Sequence, residues 1–345
     1  MPIRPAPAGS LLALFACALL AACGGEGGGE QAPPASPAGI ASEEDVLAIL
    51  KSAQRYRGLE EWGKADAVLA AAVRKYPQDR AIRLAYGDLL VQMNEKERAY
   101  EQFREGLALG GEPSPEHAKD LATAGTLASA LGRHDEAIGW FEQAERLDPA
   151  DVRVLAGLAN AWLGKNETAK AKATLLRAVA IDEASALAWG MLAEIELREN
   201  RAAKAAEFAA RARGLEPERI AWRIIEGRAR MREGEPERAI ELLAGLPQSE
   251  ATREEVVRLK AESFAQLGRI DAAYGAYADA LGAHRTNAAF VFQAALWAER
   301  AGRNAEALRH ANLAAMLGHA GGADLAARLK AAEGERSAAA EPVGG

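Results

Sequence analysis

The 345-residue chain holds two cysteines, Cys17 and Cys23, and both stand near its N-terminus. That leaves no thiol in the body of the protein for a disulfide framework, a thiolate metal site or a cysteine nucleophile. Histidine is nearly as scarce. His117, His134, His284, His310 and His319 form no HxH, no HExxH and no i, i+4 pair, so no metal site is expected. There is no Walker loop, no GxSxG, and no GxGxxG between a strand and a helix; the glycine run at Gly27 lies in a stretch without large apolar residues. Positive charge is not in surplus either, because 42 Lys and Arg face 49 Asp and Glu for a formal charge of −7. Nucleic acid, which calls for a basic stripe, is therefore not an expected partner. Nothing here provides a catalytic centre or a cofactor site, and the chain is not expected to be an enzyme.

Long apolar runs are missing as well. Residues 11–22 fall short of the roughly 20 needed to span a bilayer as a helix. With Arg4 ahead of them and small residues at their end, they have the build of a secretory signal peptide over residues 1–22. The run closes on Leu20-Ala21-Ala22-Cys23, which resembles the lipobox of bacterial lipoproteins at every place. Cys17 does not compete, since Phe15 two places before it is too large for the cleft. The resemblance implies a lipid on the Cys23 sulfur and cleavage before it. Each buried acyl methylene contributes about 0.8 kcal/mol, so two or three chains hold a protein on a membrane almost permanently. By family analogy, Gly24 after the cysteine implies an outer-membrane lipoprotein facing the periplasm. Loss of Arg4 would take the charge from −7 to −8. Residues 23–42, "CGGEGGGEQAPPASPAGIAS", hold almost nothing with which to build a core and read as a disordered tether. As a flexible coil it has an end-to-end distance of roughly 25 Å.

Beyond the tether the chain repeats itself. A turn residue recurs at Gly132, Asn166, Asn200, Gly234, Gly268 and Gly302, each 34 after the last, and Glu60 and Asn94 hold the same place in two earlier units. Eight units follow: 46–79, 80–113, 118–151, 152–185, 186–219, 220–253, 254–287 and 288–321. A four-residue insertion, "SPEH" at 114–117, separates the second from the third, and it is expected to loosen the stacking there. The twentieth place is alanine in all eight: Ala65, Ala99, Ala137, Ala171, Ala205, Ala239, Ala273 and Ala307. The eighth place is always alanine or glycine, and large residues recur at the eleventh and twenty-fourth. Small residues at those spacings let two helices approach closely while large ones fill the space a turn away.

A 34-residue period with this pattern, and with Pro77, Pro149 and Pro217 near the unit ends, resembles the tetratricopeptide repeat. The resemblance implies an all-α fold: a right-handed superhelical solenoid of about eight helix-turn-helix units, with the first (A) helices lining its inner face. Residues 323–333 have the spacing of a capping helix, giving a solenoid over 43–333, and 334–345 are expected to be a disordered tail.

Function then falls to a surface. On the A helices the second, fifth, ninth and twelfth places form a stripe beside the buried one. The ninth is polar in seven of eight units, with Asp88, Asn160, Glu194, Arg228 and Glu262 among them. Arg198, Arg232 and Arg258 add charge to the later units, whereas the first four are apolar or small at the fifth place. These eight side chains are the candidate partner-binding groove, suited to a ligand with an apolar part and a charged part. The lysine, asparagine and arginine set with which related domains clamp a chaperone's C-terminal carboxylate is absent from the fifth and ninth places. Two functions fit. One is a membrane-anchored scaffold or assembly factor for envelope complexes of the pilus, secretion or exopolysaccharide type. The other is a periplasmic adaptor that binds a peptide segment and delivers an envelope hydrolase or protease. Either way the partners are envelope proteins or their peptide segments, and the sequence leaves the oligomeric state open.

If Cys23 carries the lipid, Cys23→Ser releases the protein from membranes or stalls its processing. A variant that is still cleaved and still resists salt and carbonate washes would contradict the anchor.

Overall fold

The computed structural model describes residues 39–340, with side chains to 334; the expected signal peptide, Cys23 and most of the expected tether lie outside the described residues. Within them the chain is helical and without a strand. The A and B helices of the units are α1 (Glu43–Gly58) and α2 (Trp62–Lys75), α3 (Arg80–Gln92) and α4 (Lys96–Ala108), α5 (Pro115–Ala130) and α6 (His134–Leu147), α7 (Val152–Gly164) and α8 (Thr168–Ile181). They continue with α9 (Ala186–Arg198) and α10 (Ala202–Leu215), then α11 (Ile220–Glu233) with two short pieces, α12 (Pro236–Leu242) and α13 (Gln248–Ala251). The last pairs are α14 (Glu254–Gln266) with α15 (Ile270–Ala280) and α16 (Ala288–Arg300) with α17 (Asn304–Met316), and α18 (Ala320–Ala340) closes the stack.

Each unit turns at one residue. Glu60, Asn94, Gly132, Asn166, Asn200, Gly234, Gly268 and Gly302 all have φ between 58° and 88°. Glycine and asparagine tolerate this left-handed geometry; a glutamate at Glu60 does so at some cost in strain. The next N–H then reaches back five residues, as from Arg133 to the Ala128 carbonyl at 2.8 Å, satisfying the end of helix A. Starts are fixed too. Ser42, Asp79, Ser114, Asp151, Ser185 and Asn287 cap six of the eight A helices through side-chain oxygens, while α11 and α14 begin at Arg219 and Arg253 without such a cap.

The alanines of the twentieth place are all fully buried, at 0 % exposure. Opposite them the eighth place answers to the side chain at the twenty-fourth. A Cβ on Gly87 would stand 2.8 Å from the Phe103 ring and one on Gly125 would stand 3.0 Å from Phe141, so the units with phenylalanine take glycine. Units with leucine at that place, as at Leu69 and Leu175, accept Ala53 and Ala159.

Successive A helices pack on one another at α1–α3, α5–α7, α7–α9, α9–α11 and α11–α14, whereas successive B helices keep further apart. The stack therefore curves with A helices on its inner side.

Four boundaries differ from the sequence expectation. The insertion at 114–117 is not surplus chain between units: Ser114 caps α5, Pro115 takes its first position, and helix A is lengthened at its start. α3 and α5, like α14 and α16, approach less closely than the other A neighbours, but Arg80 donates to Asp120 across them at 3.2 Å, and one apolar core runs through from Ala53 to Ala161. Helix B of the sixth unit, in contrast, breaks after Leu242, where Gly245 takes φ 67° and Pro247 follows. At the N-terminal end Ala41 is buried, and the Gly39 carbonyl accepts from Gln78 at 3.0 Å, so the last residues assigned to the tether are packed. At the other end α18 starts before residue 323 and runs on to Ala340, into the stretch expected to be disordered.

Gly87→Ala should destabilise by about 1–3 kcal/mol, the usual range for overpacking a core. Adding Phe103→Leu should recover part of that loss, giving a coupling in a denaturation double-mutant cycle that additive costs would contradict.

Candidate partner-binding groove

The eight expected groove residues divide into three groups. Asp88, Asn160, Arg198, Arg258 and Glu262 are exposed on their A helices, and none takes part in an ion pair among the described residues. Glu194 and Arg228, on α9 and α11, are joined to each other by an ion pair between neighbouring units. Arg232 is turned to a structural task, with one guanidinium nitrogen donating to the Leu197 carbonyl at 2.8 Å and so closing the end of α9.

Arg258 and Glu262 line a concavity. It has a volume of about 670 Å³, and its walls come from α14, α16, Met231 at the end of α11, and Tyr277 of α15. Sequence spacing alone missed Glu254, Gln266, Gln293, Trp297 and Arg300 there. Gln266 and Arg300 hold the thirteenth place, which Arg198 and Arg232 already occupy in earlier units, so extending the stripe by one place would have found them. Arg300 stacks on Trp297 with its guanidinium carbon 4.8 Å from the ring centroid. Neither Arg258 nor Arg300 has an ion-pair partner among the described residues. Glu254 lies within 3.5 Å of the Asn287 amide, which donates to it. Burial raises the pKa of the Tyr277 phenol, helped by Glu262 and Glu254 and opposed by Arg258. The hollow thus offers two cations, two carboxylates and two amides over an aromatic floor.

The first four units present a different inner wall. Leu84 and Ala156, at the fifth place, are buried between helices and do not line a groove. Thr126 turns its hydroxyl back to the Ala122 carbonyl at 2.8 Å. The charged groups there are Asp88 and Asp120. Loss of hydration among its neighbours raises the pKa of the Asp88 carboxyl, against the opposing pull of Lys119 and Arg57. Asp120 is pushed up to about 6 by burial, with Asp88 adding to the rise and Arg80, His117 and Lys119 opposing it. Among the described residues no group of three or more His, Cys, Asp or Glu side chains is placed to hold a metal ion. No described helix is long and apolar enough to cross a membrane.

Two sequence families described as tetratricopeptide repeat match the chain, one at 128–195 and 196–262, the other at 50–118, together more than half its length. No curated protein matches. Solved structures of similar fold include PilW, described as a widely conserved type IV pilus biogenesis factor (18% identity, 62% of this chain and 98% of that one, TM-score 0.51). PilF of Pseudomonas aeruginosa is similar at 18% identity over 64% of this chain and 98% of that one, with a TM-score of 0.51. A tetratricopeptide repeat protein of Parabacteroides merdae matches at 14% identity over 73% and 98%, with a TM-score of 0.53.

The Asp120 carboxyl gives a pH test. Its folded pKa lies above the ordinary 3.8, so the fold disfavours the ionised form, and stability falls as pH climbs from about 4 through about 6. Asp120→Asn removes that penalty but also the charge that faces Arg80. It should therefore stabilise the protein by about 1–3 kcal/mol at pH 7.5 and by little at pH 4, read from melting curves. An equal shift at both pH values would contradict the assignment.

Proposed function

The chain belongs to the tetratricopeptide repeat family, and on that premise we propose that it is a membrane-anchored scaffold or assembly factor that binds other envelope proteins along its inner face. The observation that carries this reading is the hollow of units six to eight. There the unpaired Arg258 and Arg300 stand over Trp297, Tyr277 and Met231, with Gln266 and Gln293 beside them. Arginine, tryptophan and tyrosine together are the composition of interface hot spots. Glutamine amides offer both a donor and an acceptor to an extended backbone. The ligand that fits is a segment combining apolar side chains with at least one carboxylate. Arg198, exposed on α9 and without an ion pair among the described residues, extends the cationic strip toward the middle of the stack.

The envelope setting is supported by the Leu20 to Cys23 stretch, which would place the chain at the outer membrane through a lipid on Cys23. PilW, described as a pilus biogenesis factor, has the same fold and is consistent with such a setting.

Affinity purification from crosslinked cells tests the proposal. Arg258→Ala with Arg300→Ala should remove most of the recovered partner while shifting the melting temperature little, because exposed helix substitutions usually change stability by less than about 0.5 kcal/mol. Unchanged recovery with a folded double variant would place the binding surface elsewhere. A stable multi-subunit assembly among the recovered proteins supports the scaffold; a single transiently bound peptide segment supports the adaptor instead.

A further inference from the structure

The broken B helix of the sixth unit leaves a second hollow, separate from the inner face. α12 has 7 residues where the other B helices have 11 to 14. Its exposed carbonyls are taken up by Arg223, whose guanidinium donates to Leu242 at 2.7 Å and to Ala244 at 2.8 Å. Beneath the missing turns lies a slot of about 480 Å³, walled by Ile240, Phe264 and the alanines of α15, with Gln248 and Thr252 on one side and Lys260 and Asp279 as its charged groups.

Lys260 holds the seventh place of its unit, where Leu158 and Leu192 are buried in theirs. Three other units put a polar group at that place; Ser52, in the first unit, has no preceding helix B, and in the other two that helix satisfies the group. The Tyr86 hydroxyl donates to Asp66 at 2.9 Å, and Glu226 accepts from Arg213 at 2.6 Å. For Lys260 the preceding helix B is the one that breaks off. Its ammonium is half-buried and has no ion pair within 4.0 Å among the described residues. Burial lowers its pKa, and the more distant Asp279 only partly offsets this. A cation taken out of water in apolar surroundings calls for an anion, and a lysine ammonium meets one as a compact point charge with three donors.

We propose that this slot binds an aliphatic carboxylate, with the carboxylate on Lys260 and the hydrocarbon chain along Phe264, Ile240 and the alanines of α15. The volume lies within the usual range of small-molecule sites, about 300–1,000 Å³. Asp279 acts against the ligand by competing for the ammonium and repelling the incoming carboxylate. This site is independent of the partner groove.

Calorimetric titration of the full chain carrying Cys23→Ser, so that no attached acyl group competes, tests the proposal with hexanoate, octanoate, decanoate and neutral 1-octanol. Octanoate should bind at least tenfold more tightly than octanol. Each added methylene should strengthen binding by about fourfold, the ratio that roughly 0.8 kcal/mol per buried methylene corresponds to. Lys260→Met should abolish the preference for acid over alcohol while octanol still binds, and Asp279→Asn should tighten octanoate. Equal affinity for octanoate and octanol, no dependence on chain length, or unchanged octanoate binding in Lys260→Met would each overturn it. The first two comparisons need no substitution in the slot, so a folding defect cannot shelter the proposal.

Discussion

Everything in this protein rests on the close approach of two helices within a unit, an alanine of helix B set against a small residue of helix A. The alanine is fully buried in all eight units, and the partner place never carries more than a methyl group. With the backbones this near, the side chain one turn along helix B decides the partner in two units. A phenylalanine there forces glycine opposite, as at Gly87 and Gly125, while a leucine leaves room for alanine. Local geometry is tuned unit by unit, and since each unit touches only its neighbours, irregularity in one is tolerated by the others.

That tolerance is where the specific features arise. A regular unit exposes little on its inner wall, because its fifth-place residue is buried between helices, as Leu84 and Ala156 are. The later units depart from regularity. Arg258 stands where Leu84 stands, Lys260 where Leu158 stands, and the helix that would have covered Lys260 ends at Leu242. Both hollows, one on the inner face and one beneath the broken helix, draw walls from α14, whose start also lacks a side-chain cap.

The period was legible because its signals are chemical as well as numerical. The turn place needs a positive φ, which favours glycine and asparagine, and the twentieth needs the smallest side chain that still favours a helix. What the period concealed was variation inside it. A ruler of 34 residues counts 220–253 as one more unit, although Gly245 and Pro247 mark a break in helix B. The same ruler treated 114–117 as surplus, when Ser114 and Pro115 are the ordinary start of a longer helix. Three of the eight expected groove residues are engaged within the fold itself. Glu194 and Arg228 spend their charges on each other and Arg232 spends its own on a helix end, whereas Arg300, which has no ion pair among the described residues, lay one place outside the stripe.

The account stands most directly on which face meets a partner. A photoreactive residue placed at Gln266, on the wall of the inner hollow, and in a second variant at Leu313, exposed on the last B helix, separates the two faces in one experiment. Irradiation of cells should yield a protein adduct at position 266 and none at 313. Adducts at 313 alone would place recognition on the outer face and contradict the account.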